Sequence, residues 1–222
     1  MGGRSDGRGG GTGVTGPDPA PVTVGGAVIA GGTSRRLGTD KRLVTVDGTA
    51  LLARTVAVLR PFVTGVQVVV ADPADGPLVT GVLHEDAGPL TVTVDARPGV
   101  GPAAGLEAAL AAAAEPLVLV LATDHPTLVP AVLDLLVARA RGSTAAAVAL
   151  AGPRGAEPFL AVYRRAALPT VRAELDAGTR RMQAVLAALD PELVTEAEWR
   201  PLDPDGRTLA DVDGPDDLAG SG

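Results

Sequence analysis

The feature that most constrains the fold is an alternation of short apolar runs with segments of helical periodicity. Runs such as "TVGGAVIA", "GVQVVVA" and "LTVTVDA" alternate with segments such as "GPAAGLEAALAAAA", and a short strand is also expected at "TLADV". The most apolar run, "PLVLVLATD", predicts a central buried strand. The alternation therefore predicts one α/β domain, doubly wound, with a mainly parallel sheet and helices on both faces.

The start of the chain has a different composition. Residues 1–21 are rich in Gly and Pro and have no apolar face, so we expect a flexible tail followed by a folded domain over residues 22–222. The tail lacks the apolar stretch of a signal peptide. Because no apolar run reaches the roughly 18 residues that a membrane span needs, we expect no membrane partner. The absence of cysteine is compatible with a reducing cytoplasm, which is the expected location.

Composition also limits the chemistry. The sequence has no cysteine and two histidines, His84 and His125, which excludes disulfides, a zinc-thiolate site and a thiol nucleophile, and argues against a His-rich metal site. The formal net charge of −7 argues against nucleic acid as a partner. A small anionic ligand stays compatible with this charge if the positive charge is local.

Residues 28–43, "VIAGGTSRRLGTDKRL", combine backbone freedom with positive charge. Gly31 and Gly32 follow the first predicted strand, where ligands bind in doubly wound folds, and can expose several backbone N–H groups together. Four basic residues follow: Arg35, Arg36, Lys41 and Arg42. The pattern predicts a phosphate site, although it matches neither the P-loop nor the dinucleotide fingerprint. The alternative is a polar surface turn with solvated arginines.

These residues resemble the signature of nucleotidyltransferases related to molybdenum cofactor guanylyltransferase, Ala-Gly-Gly-x-Ser-x-Arg-Met-Gly-x-Asp-Lys. The matching positions are Ala30, Gly31, Gly32, Ser34, Arg36, Gly38, Asp40 and Lys41, and Leu37 replaces the Met. The resemblance extends over nearly all of residues 24–219 and implies a nucleotide-diphospho-sugar transferase-like fold. It also implies that the loop wraps the phosphates of a nucleotide, which Arg36 and Lys41 would neutralise.

A second segment, "DARPGVGPAAG", resembles the Gly-Pro-Leu-Ala-Gly element of this family, with Ala103 in place of Leu. The resemblance implies that Gly101, Pro102 and Gly105 keep the backbone tight against a base. It places Asp95 beside the base, as in guanine-selective members, and a carboxylate can accept hydrogen bonds from both N1–H and N2–H of guanine. The alternative is that Asp95 merely ends a strand.

Two aspartate segments carry the predicted metal site. "ATDHP" resembles the Cys-Asp-x-Pro element, in which Asp124 would bind Mg²⁺, an ion that prefers carboxylate, phosphate and water oxygens. The alternative role of Asp124 is an N-cap for the next helix. "DVDGPDDL" resembles the closing Asn-x-Asn-Thr-Pro-Glu-Asp-Leu element, but both Asn are Asp here, Asp211 and Asp213. Asp213 is the candidate for a second metal contact.

The acceptor side is indicated by two further resemblances. "EPFLAVYR" is similar to a segment near the acceptor site, and "AGTRRMQAVL" is similar to the Gly-x-Arg-Arg stretch that follows it. The resemblance therefore implies that Arg180 and Arg181 contact the phosphate of the acceptor. The alternative is that both arginines are solvated at the start of a helix.

The resemblance as a whole implies a Mg²⁺-dependent nucleotidyltransferase that moves GMP from GTP to a molybdopterin-type phosphate acceptor and contacts molybdoenzyme maturation proteins. The implied catalytic residues are Arg36, Lys41 and Asp124. The nucleotide-binding set is Ala30, Gly31, Gly32, Ser34, Arg36, Gly38, Lys41, Asp95, Gly101 and Asp124.

Three alternatives stay open. The first is transfer of CMP from CTP to the same cofactor, because the Asp-x-Asp form of the closing motif is more typical of the related cytidylyltransferases. Asp72 also stands where guanine-selective members often have Asn. The other two are a sugar-1-phosphate nucleotidyltransferase and a non-catalytic nucleotide-binding regulator, although a regulator would be expected to lose Asp124 or Lys41.

Overall fold

The computed structural model describes residues 22–30, 44–46, 48–83, 90–97, 99–123, 125 and 127–210. The strands are β1 (Val24–Ile29), β2 (Thr45–Val46), β3 (Thr49–Ala50), β4 (Val66–Val70), β5 (Leu90–Val94), β6 (Leu117–Ala122), β7 (Ala147–Gly152), β8 (Gly155–Arg164) and β9 (Glu192–Val194). The helices are α1 (Leu51–Leu59), α2 (Gly76–Val82), α3 (Pro102–Ala112), α4 (Pro130–Gly142), α5 (Leu168–Asp176), α6 (Met182–Ala188) and α7 (Glu196–Trp199).

Within the described residues, seven strands form one sheet in the order β5–β4–β1–β6–β8–β7–β9. Every neighbouring pair is parallel except the two pairs that contain β8, which runs antiparallel to both β6 and β7. The strand β6, whose sequence is "LVLVLA", lies at the centre of this order and is buried at every position. The predictions of a mainly parallel sheet and of a central buried strand are confirmed.

Helices cover both faces of the sheet. On one face, alternate residues of β6 such as Leu119 and Leu121 pack in a cluster with α1 and α4. On the other face, Val118 and Val120 pack with α3, α5 and α6. Because β6 is buried on both sides, its residues are apolar in a continuous run and do not alternate with polar ones. The doubly wound arrangement is confirmed.

The strand order reverses next to β1. The chain runs from β1 to β4 and β5 on one side, and α3 then leads back to β6 on the other side of β1. The register pairs Ile29 of β1 with Val69 of β4 and with Ala122 of β6, so the three strands end level with one another. This edge of the sheet, called the carboxyl edge below, is where ligands bind in such folds.

The prediction of a strand at "TLADV" is wrong for the part of this run that the structure describes. Residues Arg207–Leu209 form a turn of 3₁₀ helix. The physical reason is the buried carboxylate of Asp203, which accepts the N–H of Arg207 at 3.0 Å and the N–H of Thr208 at 2.7 Å. Backbone groups that bond to a side chain are not free to extend a sheet.

Candidate nucleotide-binding site

The predicted nucleotide-binding residues divide into two groups. Ala30, Asp95 and Gly101 belong to the described chain. Those outside the described residues are Gly31, Gly32, Ser34, Arg36, Gly38, Lys41 and Asp124, and so is Asp213, the candidate for a second metal contact. Ala30 and Thr123, which directly precede Gly31 and Asp124 in the sequence, are described and directly follow β1 and β6.

Ala30, Thr123 and Asp95 lie along the carboxyl edge. Ala30 donates its N–H to the carbonyl of Val69 at 2.8 Å, which extends the pairing of β1 with β4 by one residue. Asp95 donates its N–H to the carbonyl of Val70 at 2.9 Å, which extends β5 in the same way. Two strand spacings, about 10 Å, therefore separate the end of β1 from the end of β5. That span suits a nucleotide whose phosphates lie at β1 and whose base lies at β5.

Asp95 is a buried carboxylate with one oxygen already engaged. The residue is 6% exposed, and its Oδ1 accepts the N–H of Arg97. Burial raises the pKa of Asp95; the N–H of Arg97 opposes this, while the nearby charge of Glu107 adds to it. Among the described residues no donor reaches Oδ2. The carboxylate can therefore accept further hydrogen bonds from a ligand.

The turn that leads from Asp95 into α3 depends on glycine conformations. Gly99 has φ +78° and Gly101 has φ +96° with ψ −163°. The conformation of Gly101 is one that side-chain-bearing residues rarely adopt. No described atom lies within 4 Å of the place where a Cβ would stand on Gly101, so the requirement is conformational and the space beside it is open. Pro102 is the first residue of α3, as predicted.

Gly105 has a different role from the one expected. A Cβ on this residue would lie 3.1 Å from Cγ2 of Ile29, so Gly105 lets α3 approach β1 closely. We expected Gly105 to hold the backbone against a base, and the structure places it against the sheet. The effect on the site is indirect, since this approach fixes the position of α3 and of the turn that precedes it.

The segment resembling the acceptor side also reaches the carboxyl edge. Because β8 is antiparallel to β6, its first half lies beside the end of β6, with Leu160 opposite Leu121. Tyr163 is fully buried and donates its hydroxyl to the carbonyl of Pro158 at 2.8 Å, and burial raises its pKa. Tyr163 is therefore a structural residue. Arg180 and Arg181 are exposed in the turn between α5 and α6.

Asp72 has a local structural explanation. Its side chain accepts the N–H of Ala74 at 2.8 Å and caps the 3₁₀ turn Pro73–Asp75 that follows β4. Both Asn and Asp can make this cap. The presence of Asp at position 72 therefore does not by itself indicate which base is bound.

Two cavities formed by described residues lie at opposite ends of the parallel strands. One, of about 210 Å³, opens beside Gly65, Gln67 and Glu115 at the amino ends of β1 and β4, away from the predicted residues. The other, of about 120 Å³, is lined by Arg54, Thr55 and His125 beside the end of β6. The motifs and the reversal of strand order favour the carboxyl edge, where the smaller cavity lies.

The metal prediction is not tested by the described chain. No group of three or more His, Asp or Glu side chains within the described ranges could hold a metal ion. Asp124 and Asp213 lie outside those ranges, but the two neighbours of Asp124, Thr123 and His125, are buried. Over the same ranges, no helix is long and apolar enough to cross a membrane.

Three charged residues at this edge were not found from the sequence. Arg97, Glu107 and Asp176 form ion pairs that connect the turn after β5 to α3 and α5. The sequence contains one indication of this network: Glu107 is the only charged residue in the otherwise apolar α3, and a carboxylate in such a place needs a partner. The partner Asp176 is 79 positions from Arg97, and only the fold brings the two together.

The fold is an α/β domain whose strand order reverses at the carboxyl edge, the place where ligands bind in such folds. The family described as the MobA-like NTP transferase domain matches residues 26–193. The chain therefore belongs to the MobA-like NTP transferase family, and it is a nucleotidyltransferase by class, as the motifs predicted.

Individual relatives are similar to this protein over most of its length. A probable molybdenum cofactor guanylyltransferase of Chloroflexus aggregans is 36% identical, and the match covers 90% of this chain and 94% of the relative. One from Deinococcus radiodurans is also 36% identical, over 79% of this chain and 84% of the relative. The crystal structure of molybdopterin-guanine dinucleotide biosynthesis protein A from Archaeoglobus fulgidus superposes with a TM-score of 0.75 at 26% identity, covering 88% and 95% of the two chains.

Proposed function

We propose that this chain transfers GMP from GTP to the phosphate of a molybdopterin-type acceptor and releases pyrophosphate. The observation that carries this proposal is the position of Asp95, a buried carboxylate two strand spacings from the start of the glycine-rich loop. The names of the relatives support the choice of GTP and of the acceptor.

The chemistry of Asp95 favours guanine over the other bases. Guanine presents two adjacent donors, N1–H and N2–H, and a carboxylate offers two acceptor oxygens in matching geometry. Cytosine presents one donor and one acceptor at the corresponding edge, so it would leave part of the carboxylate unpaired. An unpaired buried polar group costs binding free energy, which is how such a site would discriminate between bases.

The transfer itself needs positioning and charge neutralisation. An oxygen of the acceptor phosphate attacks the α-phosphorus of GTP in line, the bond from that phosphorus to the bridging oxygen breaks, and pyrophosphate leaves with the electron pair. The attacking oxygen is already anionic, so no strong general base is needed. Arg36 and Lys41 would bind the β- and γ-phosphates and stabilise the departing pyrophosphate. Arg180 and Arg181 would hold the phosphate of the acceptor.

A divalent metal is typical of nucleotidyltransferases of this family. We infer that the ion is Mg²⁺ and that Asp124 and Asp213 hold it, since their carboxylate oxygens are the donors that Mg²⁺ prefers. When bound, Mg²⁺ would neutralise charge on the α-phosphate. Contact with molybdoenzyme maturation proteins and a cytoplasmic location stay predictions.

One observation favours a second candidate, transfer of CMP from CTP. The closing motif carries Asp211 and Asp213, where the guanylyltransferase element has two Asn residues. The two candidates share the fold, the phosphate loop and the acceptor. They differ in the base of the donor nucleotide, which a binding experiment can distinguish.

A nucleotide panel tests the proposal. Thermal unfolding of the purified chain should be shifted upward by GTP with Mg²⁺ more than by CTP, ATP or UTP, because a ligand that binds only the folded state stabilises it by mass action. Pyrophosphate release should then require the molybdopterin-type acceptor. A larger shift with CTP would favour the second candidate, and binding without turnover in the presence of acceptor would contradict an enzymatic role.

A further inference from the structure

A network of four charged side chains lies beside the predicted base site and takes no part in the chemistry proposed above. Nε of Arg97 lies 2.6 Å from Oε2 of Glu107, and its Nη1 lies 2.6 Å from Oδ1 of Asp176. Nε of Arg172 lies 3.0 Å from Oε1 of Glu107. Arg97 therefore joins the turn after β5 to α3 through Glu107 and to the end of α5 through Asp176.

The same residue contacts Asp95 through its backbone. The N–H of Arg97 is donated to Oδ1 of Asp95. The main chain of Arg97 thus fixes one oxygen of the carboxylate, while its side chain fixes the turn to two helices. A shift of Arg97 would therefore move the carboxylate oxygens of Asp95, which the proposed function assigns to guanine.

Stability alone does not account for this network. The side chains of Arg97 and Asp176 are 29% and 66% exposed, and exposed ion pairs contribute little to folding. The turn, in contrast, needs an anchor because Gly99 and Gly101 both adopt positive φ and glycine restrains the backbone least. Glu107 is 12% exposed and would be costly to leave unpaired.

The residue type fits an anchoring role. The planar guanidinium of Arg97 presents donors in fixed directions and reaches two carboxylates on different helices at once. A lysine has a single charged atom on a flexible stem and holds two such partners less rigidly. Rigid support of this kind lowers the ordering cost of binding.

We propose that Arg97 is a positioning residue for nucleobase selection: by clamping the turn after β5 onto Glu107 and Asp176, it holds Asp95 where guanine is read. The inference rests on the proposed function, because it takes guanine as the base. It also connects base recognition to the acceptor side, since α5 ends at Asp176 and the turn that carries Arg180 and Arg181 follows directly.

The test compares binding of GTP and ITP, since ITP lacks only the N2 amino group. Isothermal titration of the full chain with Mg²⁺ gives the ratio of the two dissociation constants. In Arg97→Met we expect this preference for GTP to fall by about tenfold, the effect of losing one hydrogen bond to a charged group, while the affinity for ITP changes less than about threefold. Asp95→Asn serves as the reference for lost base recognition.

Arg172→Met is the matched control. It removes the other arginine on Glu107 but leaves the turn attached, so the GTP preference should stay at the wild-type value. Asp176→Asn and Glu107→Gln provide a second route that leaves the sequence of the turn intact, and both should lower the preference even if Arg97→Met does not fold.

The outcomes separate the two levels of the proposal. An unchanged preference in Arg97→Met, or in both Asp176→Asn and Glu107→Gln, would overturn the role of Arg97 while leaving the function intact. An equal loss in Arg172→Met would also overturn it, because the effect would then belong to Glu107 alone. A wild-type chain that does not prefer GTP over ITP would show that Asp95 does not read the N2 amino group and would overturn this inference, while the nucleotide panel tests the proposed function separately.

Discussion

At the scale of single residues, the candidate site depends on backbone conformation as much as on side chains. Gly101 introduces α3 in a conformation that other residues rarely adopt, and open space lies beside it. The ladder between β5 and β4 fixes the backbone of Asp95, and the N–H of Arg97 fixes one oxygen of its carboxylate. The groups that would read the base are thus set by the course of the main chain at the carboxyl edge.

Gly101→Ala should destabilise the fold by about 1–3 kcal/mol, because alanine at φ +96° is strained even though its Cβ meets no atom. Gly142→Ala is the matched control, since the space beside Gly142 is equally open and its φ is not positive. Urea unfolding measures both free energies. Equal values for the two variants would show that the turn before α3 can relax.

Lys41 is the only lysine in the sequence, where every other basic side chain apart from the two histidines is arginine. Lys41→Ala should weaken binding of GTP more than binding of GMP, because a point charge at this position would serve the β- and γ-phosphates. An amine-specific reagent can modify only Lys41 and the terminal amine, so GTP should protect Lys41 while the terminal amine reacts unchanged. Equal losses for GTP and GMP would place Lys41 elsewhere.

Asp124→Asn should reduce turnover by about 10² or more while nucleotide binding falls only modestly. The substitution keeps the size of the side chain but removes the charge that attracts Mg²⁺, and the metal acts mainly on charge that develops in the transition state. Turnover at saturating Mg²⁺ measures the effect. Full activity would contradict the metal role, and a collapse of the melting temperature would favour the helix-cap role.

At the scale of elements, the turn over residues 203–209 fastens the end of the described chain to the start of α4. Asp203 is 2% exposed and organises the N–H groups of Arg207 and Thr208. The hydroxyl oxygen of Thr208 accepts the N–H of Val129 at 3.2 Å. This contact places the last described turn beside Val129, the residue that precedes α4.

Asp203→Asn should lower the free energy of unfolding at pH 7 by about 1–3 kcal/mol, because the new amide turns a donor toward the N–H of Thr208 or Arg207. Burial tends to raise the pKa of Asp203, but the N–H groups of Thr208 and Arg207 outweigh it and hold the pKa below its ordinary 3.8. The stabilisation is therefore complete above this value and is lost as the pH falls through the lower, folded-state pKa.

Urea unfolding at pH 7, 5, 4 and 3 measures the difference between wild type and Asp203→Asn. The difference should be constant from pH 7 to 5 and should shrink at the two lowest values. Asp205→Asn, an exposed neighbour, is the control and should stay close to wild type throughout. A difference that grows on acidification would contradict the lowered pKa.

The same turn shows where prediction from sequence ends. The strand β6 was predictable because a continuous apolar run has few other places to lie, and α3 because Pro102 marks its start. The run "TLADV" contains strand-forming residues, yet the carboxylate of Asp203 accepts the N–H of its first residue, Thr208, and of Arg207 just before it. The direction of β8 depends on pairing with β6 and β7, which periodicity does not encode.

At the scale of the whole molecule, topology assembles the site from distant segments. The reversal of strand order beside β1 sets Ala30 and Thr123 next to each other. In the sequence, β4, β5 and α3 lie between these two residues. The phosphate loop is a prediction that rests on its residues alone. The connection of Asp95 to α5 through Arg97 could not be predicted in this way, because its partners come from three separate elements.

The described chain begins at Val22, whose carbonyl accepts a hydrogen bond from Nε of Arg141 at 3.2 Å. Removal of residues 1–21 keeps this contact and all of β1. We therefore predict that a chain starting at Val22 retains its melting temperature and its affinity for GTP, since the Gly/Pro-rich segment has no apolar face to bury. Thermal unfolding with and without GTP measures both properties.

A chain starting at Gly25 provides the control for this truncation. It loses the bond to Arg141 and also Val24, which is 1% exposed and pairs with Leu117 on β6. Burial of one valine side chain stabilises by about 1.5–3 kcal/mol, so the shorter chain should melt at a clearly lower temperature. If the chain starting at Val22 were already destabilised, residues 1–21 would have to pack on the domain, and the domain boundary would move toward the amino terminus.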